Sequence, residues 1–402
     1  MPLTCTLANT AGSKPSTFNV ASIAFLFLFP GFFFYQTLIG IGALRAFLGG
    51  YFAIVSIVLF FPLSYAYYLT VRAAGYRIAP TDLQFGFFQA YFFLVVTINA
   101  AFGADAVTVQ THLLSILYFV NIYLIFKSVD FSERKTMMIA LLSLSLMSAT
   151  IFLFSQGGTF QPGQTGSSKN PESVATYQGF ARSYALTFVA VICFTKLAVV
   201  RLALYAIAAG AMFLNGSRSE LLAVLCIIPI IEVYRAKSAL HLFSIVLLIL
   251  AFLALGPRRL MENLPDNRVW ELFDLSHSES ASSRYDLTQH ALQTISDHPV
   301  LGDYASYPSG GYSHNILSAW VDLGAFGFAY MLLMLMQTTL TLFAKGWLVR
   351  ARSGHFLLAW SLICMSILLL VTAKTFDDMF SGAAMGAYAN YRNRHRQAKL
   401  DR

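Results

Sequence analysis

Charge is scarce in this sequence. Only 11% of its 402 residues are Asp, Glu, Lys or Arg, while 57% are hydrophobic. Soluble domains draw a polar shell from about 25% charged residues. A chain this poor in charge cannot cover its apolar surface against water, so it must be solvated by lipid. Cysteine is also sparse: Cys5 lies in a polar leader, and Cys193, Cys226 and Cys364 fall singly in apolar runs. That excludes a disulfide framework and a zinc site of the usual spacing. No G-x-x-x-x-G-K-[ST] loop, G-x-G-x-x-G turn or H-E-x-x-H pair occurs, so nucleotide hydrolysis and zinc-protease chemistry lack their sequence supports.

What is present is a series of long apolar runs. Segments 22–39, 50–69, 85–102, 239–255 and 356–373 are each about 17 to 20 residues with almost no charge. At 1.5 Å per residue a helix of that length crosses a hydrocarbon core of about 30 Å, and a helix satisfies its own backbone there. The net charge of +8 is not gathered into a patch, so nucleic acid is not expected as a partner. Lys and Arg instead mark short connections at 72–77, 127–135, 196–201, 235–240 and 345–352, which together with both termini hold 18 of the 27. Such connections face the cytoplasm.

Two spans per interval between these anchors predict an all-α, polytopic membrane protein of about twelve helices, with eleven to thirteen as the range. The stretch 202–234 is split at Asn215-Gly216-Ser217-Arg218, and the last span, near 379–391, has the weakest signal. The first run is too long, and its flanks too poor in basic residues, for a cleaved signal peptide. The expectation is one integral membrane domain over 1–402.

Parity places two loops on the non-cytoplasmic side. The first, 155–182, is rich in Gly, Ser, Thr, Pro and Gln and reads as irregular. The second, 256–314, carries eight of the 19 acidic residues, four arginines, no lysine, and His277, His290 and His298, with His314 at its end. Within it, 283–295 has helical periodicity, with Tyr285, Leu287 or Thr288, Leu292 and Ile295 on the apolar face. Asp377 and Asp378 fall in a short connection and read as solvated. Glu220 reads as a partner for its neighbour Arg218, and Asp322 serves either helix packing or a site.

His314-Asn315, followed after eight intervening residues by Gly324-Ala325-Phe326-Gly327 at the opening of an apolar run, resembles the signature of the O-antigen ligase and polymerase superfamily. Asp297-His298-Pro299-Val300-Leu301-Gly302 is similar to its D-x-P-x-x-G stretch, and Arg284 stands about 30 residues before the His-Asn pair, where that family keeps an arginine. Ser217-Arg218-Ser219 with Leu221-Leu222-Ala223 resembles its SR-x-x-x-L-A segment. Tyr177-Gln178-Gly179-Phe180-Ala181-Arg182 resembles the stretch that closes its first large loop. The likeness covers roughly 175–330 in motif; the N-terminal third matches only as generic membrane helix.

The resemblance implies a GT-C-like helical fold in a bacterial inner membrane, with the active site facing the periplasm. It implies an undecaprenyl-pyrophosphate-linked glycan as donor, with no nucleotide sugar, cofactor or metal. A lipid pyrophosphate leaving group needs cations at the bilayer edge, and guanidinium supplies them with bidentate bonds; Arg182, Arg218 and Arg284 are the candidates. An acceptor hydroxyl must shed its proton, which histidine can take near neutral pH; His314 is the candidate base. Tyr177, Gln178 and Asn315 join Arg182 as substrate-binding residues.

Polymerase and ligase share that donor and differ in acceptor, a second lipid-linked repeat unit or the lipid A core. A second loop of about 58 residues beside a first of about 25 resembles the polymerases more. A chain-length regulator and a flippase are then the expected protein partners. A protein O-glycosylating ligase is a further alternative, as is a lipid-linked glycan flippase, although a transporter would place charges inside several helices around a cavity.

Overall fold

The computed structural model describes residues 19–48, 50–164, 174–236, 267, 269, 279–307, 313–349 and 353–400. The named elements are helices: α1 (Val20–Gly40), α2 (Tyr51–Ala73), α3 (Pro80–Ala101), α4 (Ala106–Ser128), α5 (Arg134–Phe154), α6 (Tyr177–Phe194), α7 (Ala198–Asn215), α8 (Arg218–Arg235), α9 (Glu279–Asp297), α10 (Leu317–Trp347), α11 (Gly354–Thr372) and α12 (Met379–Leu400). Eight of them, α1 to α5 with α7, α10 and α11, are long and apolar enough to cross a bilayer. The chain is a multi-pass membrane protein. Its outward side chains are those lipid tolerates: Val58, Phe61, Leu153 and Val199 are all well over half exposed.

Most of the expected runs recur as helices with boundaries shifted by a few residues. The split of 202–234 falls where the sequence placed it, with α7 ending at Asn215, Gly216 in the left-handed region at φ 76°, and α8 starting at Arg218. The run 239–255 lies outside the described residues.

Four of the described helices fail the apolar criterion: α9 is a polar helix packed against α10, and the other three sit inside the bundle. In α6, residues 183–193 are buried throughout. α8 packs between α6, α7 and α11. α12 lies against α4 and α11, and its run Ser381-Gly382-Ala383-Ala384 lets backbones approach closely, as small residues do between membrane helices. Helices shielded from lipid by their neighbours can carry the polar side chains that outer helices cannot.

Two expectations need correction. The first loop does not extend to 182, because 177–182 are already the first turns of α6. Phe180 packs there against Phe32, Phe33 and Phe160 of the shielding layer, so a locally polar segment becomes helical through tertiary burial. α9 exists where periodicity put it, but its inward face is different. Ala291 and Thr294 are buried and Leu287 and Thr288 half-buried, whereas Tyr285 and Leu292 are exposed. Small residues make the closer contact with α10.

Short connections make successive helices antiparallel, so their ends form two polar faces. One face carries most Lys and Arg, among them Arg72, Arg77, Lys127, Arg134, Lys345 and Arg392. Two buried ion pairs lie on it: Asp82 accepts from Lys127 at 2.6 Å and from Tyr67 and Tyr123, and Arg201 holds Glu232 through two bonds of 2.6 and 2.8 Å. The other face carries Arg45, Arg182, Arg218, Arg284 and Lys374.

Candidate functional site

A crossing of two chain segments organises the second face. At Gly324 the helix α10 breaks, with φ 70° and ψ −179°, a conformation open essentially to glycine alone. The break frees the backbone of 321–325 to pair with 300–303: Ala325 N donates to Val300 O at 3.0 Å and Asp303 N to Val321 O at 2.8 Å. Trp320 Nε1 donates to Pro299 O, and Tyr91 OH braces Leu323 O, both at 2.8 Å. The Asp297–Gly302 stretch and the Gly324 motif are therefore two halves of one joint, which pins the end of the second loop against α10.

Beyond the joint, the loop closes over α4. Ala305 N donates to the buried Asp322 of α10 at 3.3 Å, and Tyr304 OH bonds His112 Nδ1 of α4 at 2.8 Å. Burial raises the Tyr307 hydroxyl to about 12, so it remains protonated as a donor.

A charge cluster lies where α6 and α8 begin and α11 ends. Glu220, fully buried on the first turn of α8, meets Lys374 Nζ at 2.6 Å and Arg182 Nε at 3.9 Å, and accepts from Ser217 and Ser219. Arg182 also reaches Asp378 at 3.0 Å. Glu220 thus forms ion pairs with Lys374, in the connection after α11, and with Arg182 of α6, as well as hydrogen bonds along its own turn. Asp378, expected to be solvated, is buried; it also accepts from Phe380 N at 3.1 Å, which caps α12. Asp377 is half-buried beside it.

The His-Asn pair sits next to this cluster. Asn315 accepts from Leu317 N at 2.9 Å and donates to Thr288 of α9 at 3.2 Å, so it starts α10 and ties α9 to it. His314 Nδ1 lies 3.3 Å from Ala373 O, the residue preceding Lys374. Burial, then the positive charge of Arg284, lowers the His314 pKa from its ordinary 6.5; the Ala373 carbonyl opposes the shift and Lys374 adds to it. The structure therefore gathers Arg284, His314, Asn315 and Arg182 at one end of the bundle, where Lys374 pairs with Glu220 and its charge acts on His314. Arg218 is half-buried on the first turn of α8, two residues from Glu220.

A cavity of about 500 Å³ opens between α1, α2, α4, α6 and the 375–379 segment. Arg182, His112, Asp322, Asp377 and Asp378 line it together with Tyr307. Tyr177 and Gln178, half-buried on the first turn of α6, are not among its described lining residues. Lys374 and His112 are the participants that sequence reasoning passed over. The available signal was that each is an isolated ionisable residue at the edge of an apolar run. Among the described residues, no three His, Cys, Asp or Glu side chains converge as metal ligands.

No protein-family model and no curated protein matches this chain.

Proposed function

We propose that the protein is a glycosyltransferase of the bacterial inner membrane. In this reading it joins undecaprenyl-pyrophosphate-linked oligosaccharide repeat units into a surface polysaccharide at the periplasmic face. About twelve spans in a GT-C-like arrangement belong to it. The observation that carries the reading is the convergence of Arg284, His314, Asn315 and Lys374 beside a polar cavity, at the end of the bundle with fewer basic residues. Positive-inside orientation turns that end away from the cytoplasm.

Chemically, the acceptor hydroxyl attacks the anomeric carbon from the face opposite the pyrophosphate. The new C–O bond forms as the bond to phosphate breaks, and the configuration inverts. His314, kept neutral by its surroundings, takes the hydroxyl proton. Arg284 and Arg218 stabilise the charge growing on the departing lipid pyrophosphate. Arg182, held by Asp378 and Glu220, positions the segment that carries Lys374. Water and inorganic ions need supply nothing to this step, since placement and electrostatics account for it.

The test is the surface-glycan profile of a deletion strain complemented with the intact gene or with His314→Ala. A polymerase leaves core capped by a single repeat unit on deletion, and His314→Ala fails to restore the ladder at normal expression. Accumulation of unlinked long polymer on its lipid carrier establishes the ligase instead. An unchanged ladder overturns both.

A further inference from the structure

The cavity and the basic cluster differ in charge, and the difference assigns them to different parts of the substrate. Among the described residues, those lining the cavity include three carboxylates, Asp322, Asp377 and Asp378, against one guanidinium, Arg182, which Asp378 and Glu220 already share. Among the described residues no Lys or Arg pairs with Asp377. A pyrophosphate brought here would meet uncompensated like charge in a partly desolvated space, where repulsion is weakly screened. Arg284, Lys374 and His314 lie on or beside the 373–374 end of the same segment, and the cavity lining begins at Thr375.

What the cavity does offer suits a saccharide. Carboxylates accept hydrogen bonds from hydroxyl or ammonium groups. Thr108, Thr111 and Ser115 add one hydroxyl per turn down α4, and Phe32, Phe52 and Tyr118 form an aromatic floor against which the C–H face of a sugar ring can pack. From Val107 to Tyr118 the lining follows about three turns of α4. The volume falls within the roughly 300 to 1,000 Å³ of small-molecule sites. Tyr304 fixes the His112 ring through Nδ1, which leaves Nε2 as the nitrogen available to a ligand.

We propose that this cavity is the acceptor-sugar site, that it takes an uncharged or amine-bearing saccharide, and that it excludes the donor's pyrophosphate. Asp377 and His112 are its specificity-determining residues. The proposal rests on the glycosyltransferase reading for the name of the acceptor, but its test needs no turnover.

The experiment measures equilibrium binding to the full-length protein in lipid nanodiscs. Its two probes are the unphosphorylated repeat-unit oligosaccharide, released by partial hydrolysis of the cells' own surface polysaccharide, and inorganic pyrophosphate. Asp377→Asn and His112→Gln are each expected to weaken oligosaccharide binding about tenfold, the loss of one good hydrogen bond in a desolvated site, and to leave pyrophosphate binding unchanged. Arg284→Gln does the reverse. Competition between the two probes, oligosaccharide binding that is absent at millimolar concentration, or binding insensitive to Asp377→Asn and His112→Gln overturns the proposal. If the oligosaccharide binds in the expected pattern while the deletion strain keeps its ladder, the polymerase reading fails and the sugar site stands. If the ladder depends on His314 but the binding pattern is absent, the sugar site fails and the polymerase reading stands.

Discussion

A histidine can take a proton only while its ring is neutral, and the surroundings of His314 favour that form. Burial comes first among the causes, Arg284 next, and Lys374 adds to them, against one carbonyl that favours the protonated ring. Its pKa therefore lies below the ordinary 6.5, and the ring is neutral across the physiological range. In the proposed reaction this places the acid limb of the pH–rate profile below pH 6.5. Removing the nearby positive charge with Arg284→Gln raises the His314 pKa, so the limb should move to higher pH while the maximal rate falls. Initial rates of chain growth on lipid-linked repeat units, measured against pH with purified protein, check this; a limb that stays in place belongs to another group. The partners of Glu220 show the limit of reading along the chain at this scale. Arg218 lies two residues away in sequence, yet the ion pairs to Glu220 also come from Lys374, in the connection after α11, and from Arg182 of α6.

At the scale of elements, the joint between 297–302 and α10 turns two short motifs into one structural device. Neither motif has a functional side chain at its centre; each has a glycine where the other backbone passes. A Cβ on Gly324 would lie 2.6 Å from Val300 O, with φ at 70°. On Gly302, at φ 72°, it would collide with the carbonyls of Trp320 and Val321. Gly324→Ala should therefore cost about 1–3 kcal/mol from the dihedral alone, with the collision in addition. Because the joint also carries Ala305 and Tyr307 to the cavity, activity should fall together with the thermal midpoint in detergent. A variant with an unchanged midpoint would show that the crossing bears no load. α9 makes the complementary point about periodicity. The sequence marks a helix there, but which face turns inward depends on the surface it meets. Against α10 that surface favours Ala291 and Thr294 over Tyr285 and Leu292.

Across the whole molecule, charge asymmetry separates two faces that the apolar spans hold apart. Phe102, 87% exposed in the turn after α3, lies on the face of the cavity; Arg396, exposed on α12, lies on the opposite face with most of the basic residues. In a cysteine-free background on intact cells with a permeabilised outer membrane, a membrane-impermeant maleimide should label Phe102→Cys. It should reach Arg396→Cys only after the inner membrane is opened. The reverse pattern places the cavity in the cytoplasm and removes the periplasmic reading.

The sequence by itself determined the class of protein and most helix boundaries, because lipid imposes one rule on every outer residue: a backbone paired within its own helix and side chains without charge. It also located Arg284, His314 and Asn315 near one another in the chain order of the second loop and α10. What only the tertiary structure decided was the pairing of isolated polar residues from distant helices. Lys374, His112 and Asp322 each stand alone in the sequence, and Asp378 has only Asp377 beside it. They become a cluster and a cavity wall because α4, α6, α8, α10 and α12 bring their ends to one face. A buried charge requires a partner, but local sequence carries no record of which distant helix supplies it. That choice is made by helix packing, which the sequence encodes only through the shapes of many side chains acting together.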